Sequence, residues 1–183
     1  MNGWKKGVAT AAVASSLMAT VGAMAASNDM FLKLDGIKGE SADSKHKGEI
    51  DVVSWSWGVA QTATAGAGGG GGAGKAQIHD ISIVKKLDAA SPGLFTHSTT
   101  GTHIKEVNLV VRKAGGKQVE YLKIKLEDVL ISSITNAATG DQVVEHVTLN
   151  FSKVEYEYTP QKDDGSGGTP IKFGWNVKQN SKI

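Results

Sequence analysis

A chain of 183 residues, 40% hydrophobic and 21% charged, is long enough for one domain with a substantial core and is neither disordered nor membrane-built in overall composition. It contains no cysteine, which excludes disulfide frameworks, thiol catalysis and cysteine zinc sites. Without Lys5 and Lys6, the 20 basic residues fall to 18 against 18 acidic ones, and a neutral body lacks the basic face that nucleic-acid binding requires.

The first 25 residues stand apart. Lys5 and Lys6 precede an uncharged run of small residues from Gly7 to Ala23, and Ala23-Met24-Ala25 forms an A-x-A site. This pattern predicts a secretory signal peptide over residues 1–25, cleaved after Ala25, with residues 26–183 as one domain. The run is too rich in alanine, serine and threonine for a strongly apolar span of roughly 20 residues, so no stable membrane insertion is expected after cleavage.

Beyond Ala26 the dominant signal is alternation with period two, which predicts a mainly β fold. In Val53-Ser54-Trp55-Ser56-Trp57-Gly58, alternation puts Trp55 and Trp57 on one face as core anchors and Ser54 and Ser56 on the other, small, polar and outward. The stretch Gln61 to Gly74, almost only glycine, alanine and threonine, reads as a long loop. Within it Gly69, Gly74 and Lys75 satisfy G-x-x-x-x-G-K, but Ala76 follows where a magnesium-binding hydroxyl belongs. A strand-like Gln77 to Val84 comes next instead of a helix, so phosphate binding is not supported.

A short helix fits Ser91 to Thr100, with Ser91 as N-cap, Pro92 at the first helical position and Gly101 as the left-handed end. Further half-buried strands are read at Val107, Leu109 and Val111, at Leu122, Ile124 and Leu126, and at Val147, Leu149 and Phe151. Lys113 to Lys117 turns between the first two, and Asn136 to Asp141 separates the next pair. A second soft loop runs from Thr159 to Thr169. The last strand alternates Ile171, Phe173, Trp175 and Val177 with Lys172, Gly174 and Asn176, predicting an apolar face anchored by Phe173 and Trp175 and one wet face. A two-sheet β-barrel with one short helix accounts for the pattern.

Candidate chemistry is sparse. His46, His79, His97, His103 and His146 lack the spacing that brings two imidazoles to one ion, and each reads as a surface or satisfied histidine. Gly165-Ser166-Gly167 lacks the full G-x-S-x-G frame and its strand-to-helix elbow. No catalytic set, cofactor site or metal site emerges, and the chain reads as a non-enzyme.

Taken in order, several blocks resemble one family. They are Met30 to Gly58, with K-G-E-S at Lys38 to Ser41 and the W-S-W strand, then Gly72 to Asp88, the S-P-G-L-F helix start, Val111 to Ile134, His146 to Tyr158, and the closing Lys172 to Asn180. Together they resemble Hcp, the inner-tube protein of bacterial type VI secretion, over essentially all of residues 26–183.

The resemblance implies a barrel that assembles as a ring, six copies per ring, with rings stacked into a hollow tube. It also implies effector proteins carried in the lumen, contact with the spike and sheath proteins of the secretion machine, and secretion from the cell. On this footing Ser54 and Ser56 are expected on the lumen wall. Ring-to-ring contacts are expected from the glycine loop, including Gly68, Gly70 and Gly72, and from the Glu40 to Lys47 turn with Glu40, Asp43, Lys45 and Lys47. With no extension after Ile183, the chain is expected to deliver cargo non-covalently or to serve only as tube.

One feature departs from the family pattern, whose members are assembled from the cytoplasm without a cleavable signal. Two readings are open: a tube protein working outside the cytoplasm, including the periplasm, or translation beginning near Met24 or Met30. A competing function is a secreted carbohydrate- or ligand-binding barrel, which would need Trp55 and Trp57 as a solvent-facing platform.

Overall fold

The computed structural model of the chain describes residues 28–61, 76–114 and 118–183. The expected signal segment 1–25 and Gly68, Gly69, Gly70, Gly72, Gly74 and Lys75 lie outside them. In chain order the elements are β1 (Asn28–Leu34), β2 (Ile50–Ser56), β3 (Val59–Gln61), β4 (Ala76–Ile78), β5 (Ile81–Lys86), α1 (Ser91–Thr100) and β6 (Ile104–Lys113). They continue with β7 (Glu120–Thr139), β8 (Gln142–Asn150), β9 (Lys153–Tyr158), β10 (Ile171–Asn176) and β11 (Ser181–Lys182).

The strands pair in the order β7-β6-β1-β2-β5-β8, and β8 pairs back onto β7, which closes a six-stranded barrel. Closure is possible because β7 is long enough to serve two sheets. Its first part pairs with β6 from Glu120 to Val129 and with β9 from Leu122 to Glu127, and its second part pairs with β8 from Leu130 to Thr139. The two parts meet at Asp128, which adopts a left-handed φ of 55° and so turns the strand through the corner. β9, β10 and β11 extend outward from the first part of β7 as a flap.

The barrel interior is filled by the predicted alternating residues Val107, Leu109 and Val111, Leu122, Ile124 and Leu126, and Val147, Leu149 and Phe151, joined by Leu32, Leu34, Ile81 and Ile83, all buried. Each such side chain contributes about 1.5–3 kcal/mol relative to an exposed one. The helix lies where expected, with Leu94 buried and Gly101 closing it at a φ of 65°. Its cap differs. Ala90 occupies the N-cap position without a side-chain bond, while the Asp88 carboxylate accepts from the Ala90 N–H. Ser91 is buried, and its hydroxyl accepts from the Asp88 N–H and donates to Glu145, so it is already engaged in the interior.

Other departures have local causes. The segment read as Gln77 to Val84 splits into β4 and β5 around His79 and Asp80. The connection read from Asn136 to Asp141 shrinks to Gly140 and Asp141, because the β7–β8 ladder continues to Thr139 opposite Gln142 and Gly140 supplies the positive φ. On β10 the expected faces are reversed in part. Ile171 and Phe173 are exposed and Trp175 is half-buried, while Gly174 and Asn176 are buried. Phe173 is therefore no core anchor within one chain. It sits on the β9–β11 flap and stacks on Trp175 at 6.4 Å, while Ile183 lies against Gly174.

Candidate functional site

The outer face of the sheet made by β2, β5, β8 and the second part of β7 gathers the serines read from the sequence. Register places Ser56 beside Ser82, Ser82 beside Thr148, and Thr148 beside Ser133. A second row joins Ser54, Val84, His146 and Thr135. The residues between the rows, Trp55, Ile83, Val147 and Ile134, pack toward the core. The outward face is thus two rows of hydroxyls interrupted by one valine and one histidine.

Ser54, Ser56, Ser82, Ser133, Thr135 and His146 are exposed. Among the described residues none of these six side chains makes a hydrogen bond within the chain. Each hydroxyl keeps one donor and its acceptor lone pairs for an outside partner. Such bonds are individually weak because water competes for them, so the wall suits broad, reversible contact. Below it, Ser132 and Asn150 both donate to Asp80, at 2.8 Å each, fixing the adjoining rim.

Trp55 and Trp57 are half-buried and pack against the core. The Trp57 Nε1–H donates to the His79 carbonyl at 3.0 Å, and its ring lies 6.3 Å from both Tyr156 and Phe151. These contacts leave no open tryptophan platform of the kind a ligand-binding barrel would need.

The Glu40 to Lys47 turn folds back along β1. Glu40, Lys45 and Lys47 are exposed. Asp43 instead points inward: its carboxylate accepts from both terminal nitrogens of buried Arg112, at 3.2 and 2.7 Å, and Arg112 also reaches Asp29 at 2.8 Å. The guanidinium holds the Asp43 carboxyl far below the usual carboxylate range, helped by the Lys45 backbone N–H. Arg112 lies over Phe31, and Phe31 stacks on buried His46 at 4.1 Å. His46 in turn meets Glu49 at 2.9 Å and Glu120 at 3.5 Å. Asp43 thus anchors the turn as a strap, leaving Glu40, Lys45 and Lys47 as its outward charges.

Among the described residues no three histidines or carboxylates gather as a metal site. His103 does join a polar cluster, since Asp128 accepts from it, from Ser152 and from Lys178, each at 2.6 Å. A second cluster is buried except for partly exposed Asp88: the Lys85 ammonium contacts Glu145 at 2.5 Å, Asp88 at 2.8 Å and Ser91 at 3.2 Å. Sequence reasoning missed Ser82, Thr148, Ser133, Thr135 and His146 on this face, although Ser82 and Thr148 alternate with apolar neighbours just as Ser54 and Ser56 do.

Residues 31–158 match the family model described as type VI secretion system effector, Hcp. The chain is 53% identical over 156 residues to protein hcp1 of Pseudomonas aeruginosa, covering 83% of this chain and 96% of that protein. Among solved structures, a type six secretion system protein superposes with a TM-score of 0.81 at 29% identity, covering 86% of this chain and all of the other. Hcp1 of Salmonella typhimurium gives 0.71 at 38% identity, covering 85% and 99%, and a type VI secretion system effector of Yersinia pestis gives 0.68 at 37%, covering 81% and 100%.

Proposed function

The chain belongs to the Hcp family, the tube proteins of type VI secretion, and from that premise we propose that six copies close into a ring whose bore is lined by the hydroxyl wall. Rings stack into a hollow tube, and the bore holds effector proteins non-covalently during export. The role is structural and not catalytic. Spike and sheath proteins of the secretion machine are its other partners. The observation that carries this reading is the pair of outward rows, Ser56-Ser82-Thr148-Ser133 and Ser54-Val84-His146-Thr135, rich in hydroxyls whose exposed members have no hydrogen-bond partner among the described residues, on a sheet whose other face is core.

A bore can be told from an outer surface by access. The chain has no cysteine, so Ser56→Cys introduces the sole thiol. In assembled rings it should react readily with a small maleimide and much more slowly with a long polyethylene-glycol maleimide, whereas Lys162→Cys should react with both. Equal rates with the bulky reagent at the two positions would place Ser56 outside the bore and remove the cargo wall.

Residues 1–25 serve, in the same proposal, as an export signal cut after Ala25, and the mature protein works outside the cytoplasm. N-terminal sequencing of exported protein should begin at Ala26. A start at Met1 would refute cleavage, and a start at Met24 or Met30 would support a later initiation site. The strap residues Glu40, Lys45 and Lys47, together with the glycine loop, would meet the next ring of the stack.

A further inference from the structure

His146 is the single titratable side chain in the two rows of the hydroxyl wall, and it stands exposed, paired with Val84 on β5 and with Thr135 on β7. Among the described residues its imidazole makes no hydrogen bond or ion pair. The adjoining row, Lys86-Val144-Ala137, puts exposed Lys86 diagonally across the β5–β8 ladder from it, a position about 7–8 Å away. Lys86 is likewise unpaired among the described residues. From β7 the imidazole is faced by Thr135, flanked by Ser133 and Ala137, which bring no charge. The nearby acids are placed differently. Glu145 is buried on the opposite face against Lys85. Asp51 and Glu40 line a cleft with Lys86, and Asp51 belongs to β2, on the side of β5 away from β8. At the far edge of the wall Asp80 accepts from Ser132 and Asn150, with His79 next to it in sequence.

We propose that His146 sets the charge preference of the wall: when protonated it joins Lys86 to hold a carboxylate of an acidic cargo segment. When it is neutral, Lys86 and the hydroxyls hold that segment alone. The inference rests on the reading of this face as the cargo wall and names the class of cargo the wall prefers. Histidine is the side chain whose charge changes between pH 5 and 8, so binding in that range is coupled to a proton. A carboxylate beside the ring favours the charged form, and by linkage acidic cargo takes up a proton on binding. Its affinity therefore rises as pH falls through the histidine range, and a basic segment responds in the opposite sense. Exposed ion pairs change affinity by a factor of only about two to five each, which biases the choice of cargo without locking it in place. Every copy in a ring repeats the site, so weak pairs add along an extended acidic segment.

The test is binding of a fluorescent oligoglutamate peptide to the full chain, read by anisotropy at about pH 8 and about pH 5.5. Affinity should rise about two- to fivefold on acidification. His146→Gln should abolish that rise, which separates His146 from His79, and His146→Lys should bind tightly at both pH values. Lys86→Gln should weaken binding at both while keeping the rise. An oligolysine peptide should bind more weakly in acid. Both positions are exposed, so each variant should keep the far-UV spectrum of the folded chain. A rise that survives in His146→Gln, or no rise in the wild type, would overturn the assignment. Acid tightening of both peptides alike would equally overturn it, since a change of fold and not of charge would then be at work. Should His146→Gln unfold, His146→Lys carries the test, and a pH-dependent affinity there would overturn the proposal. Ring formation is read separately by light scattering. Rings whose binding ignores His146 would leave the ring reading in place and remove this inference, while single chains that keep the His146-dependent profile would uphold the site and remove the ring.

Discussion

Lys85 and Glu145 are both fully buried, an arrangement that costs several kcal/mol per ion unless the partners satisfy one another. Here the ammonium meets Glu145, Asp88 and Ser91, so β5, β8 and the start of α1 converge on one charge. Lys85→Met would leave the Glu145 carboxylate buried without its counter-ion and should lower stability by about 3–5 kcal/mol. Adding Glu145→Leu should recover most of that loss, because an apolar pair of similar volume removes the stranded charge. Denaturant titration at one fixed protein concentration measures both, and a double variant no more stable than the single would show that the pair does more than neutralise itself. Half of this cluster was legible. Alternation puts Lys85 on the face of Ile81 and Ile83, which marks it as a buried cation, but nothing local points to a partner 60 residues away. The same contact explains the misplaced cap, since a serine before proline reads as an N-cap until Glu145 claims its hydroxyl.

At the scale of elements the decisive strand is β7, whose corner at Asp128 lets one strand belong to two sheets. The Asp128 carboxyl is held far below the usual carboxylate range, first by Lys178 and then by Ser152 and His103. A depressed folded value means that the clamp stabilises the fold above the ordinary carboxylate value of about 3.9 and is lost as pH falls below it. Asp128→Asn keeps a residue that tolerates the left-handed backbone while removing the charge. Melting temperature should then be lower at neutral pH and should fall less steeply between about pH 4 and 2 than in the wild type. A parallel acid decline in the two proteins would assign acid sensitivity to other carboxylates, such as Asp43. Strand content was largely readable because alternation reports burial directly, and Ser82 and Thr148 could have been grouped with Ser54 and Ser56 on that basis, whereas the irregularity between Ile131 and Ser133 hides Ser133 and Thr135. Which strands lie side by side was not readable, because register depends on pairings as distant as Phe31 with Asp51 and Val110. β10 shows the limit most clearly. Its pattern marks a face for burial, yet Phe173, which reads as core, stands exposed on the flap.

For the whole molecule, residues 26–183 carry 18 basic and 18 acidic residues, and that balance limits repulsion between copies. In the proposed ring the exposed hydroxyl face would line the bore, and Glu40, Lys45 and Lys47, on the strap that Asp43 ties to Arg112, would face the next ring. The mass of the purified exported protein in solution tests this most directly. Light scattering at concentrations on the order of tens of micromolar should return about six times the mass of one chain, since assembly follows mass action and a working ring must hold together in that range. A particle of single-chain mass under those conditions would contradict the account.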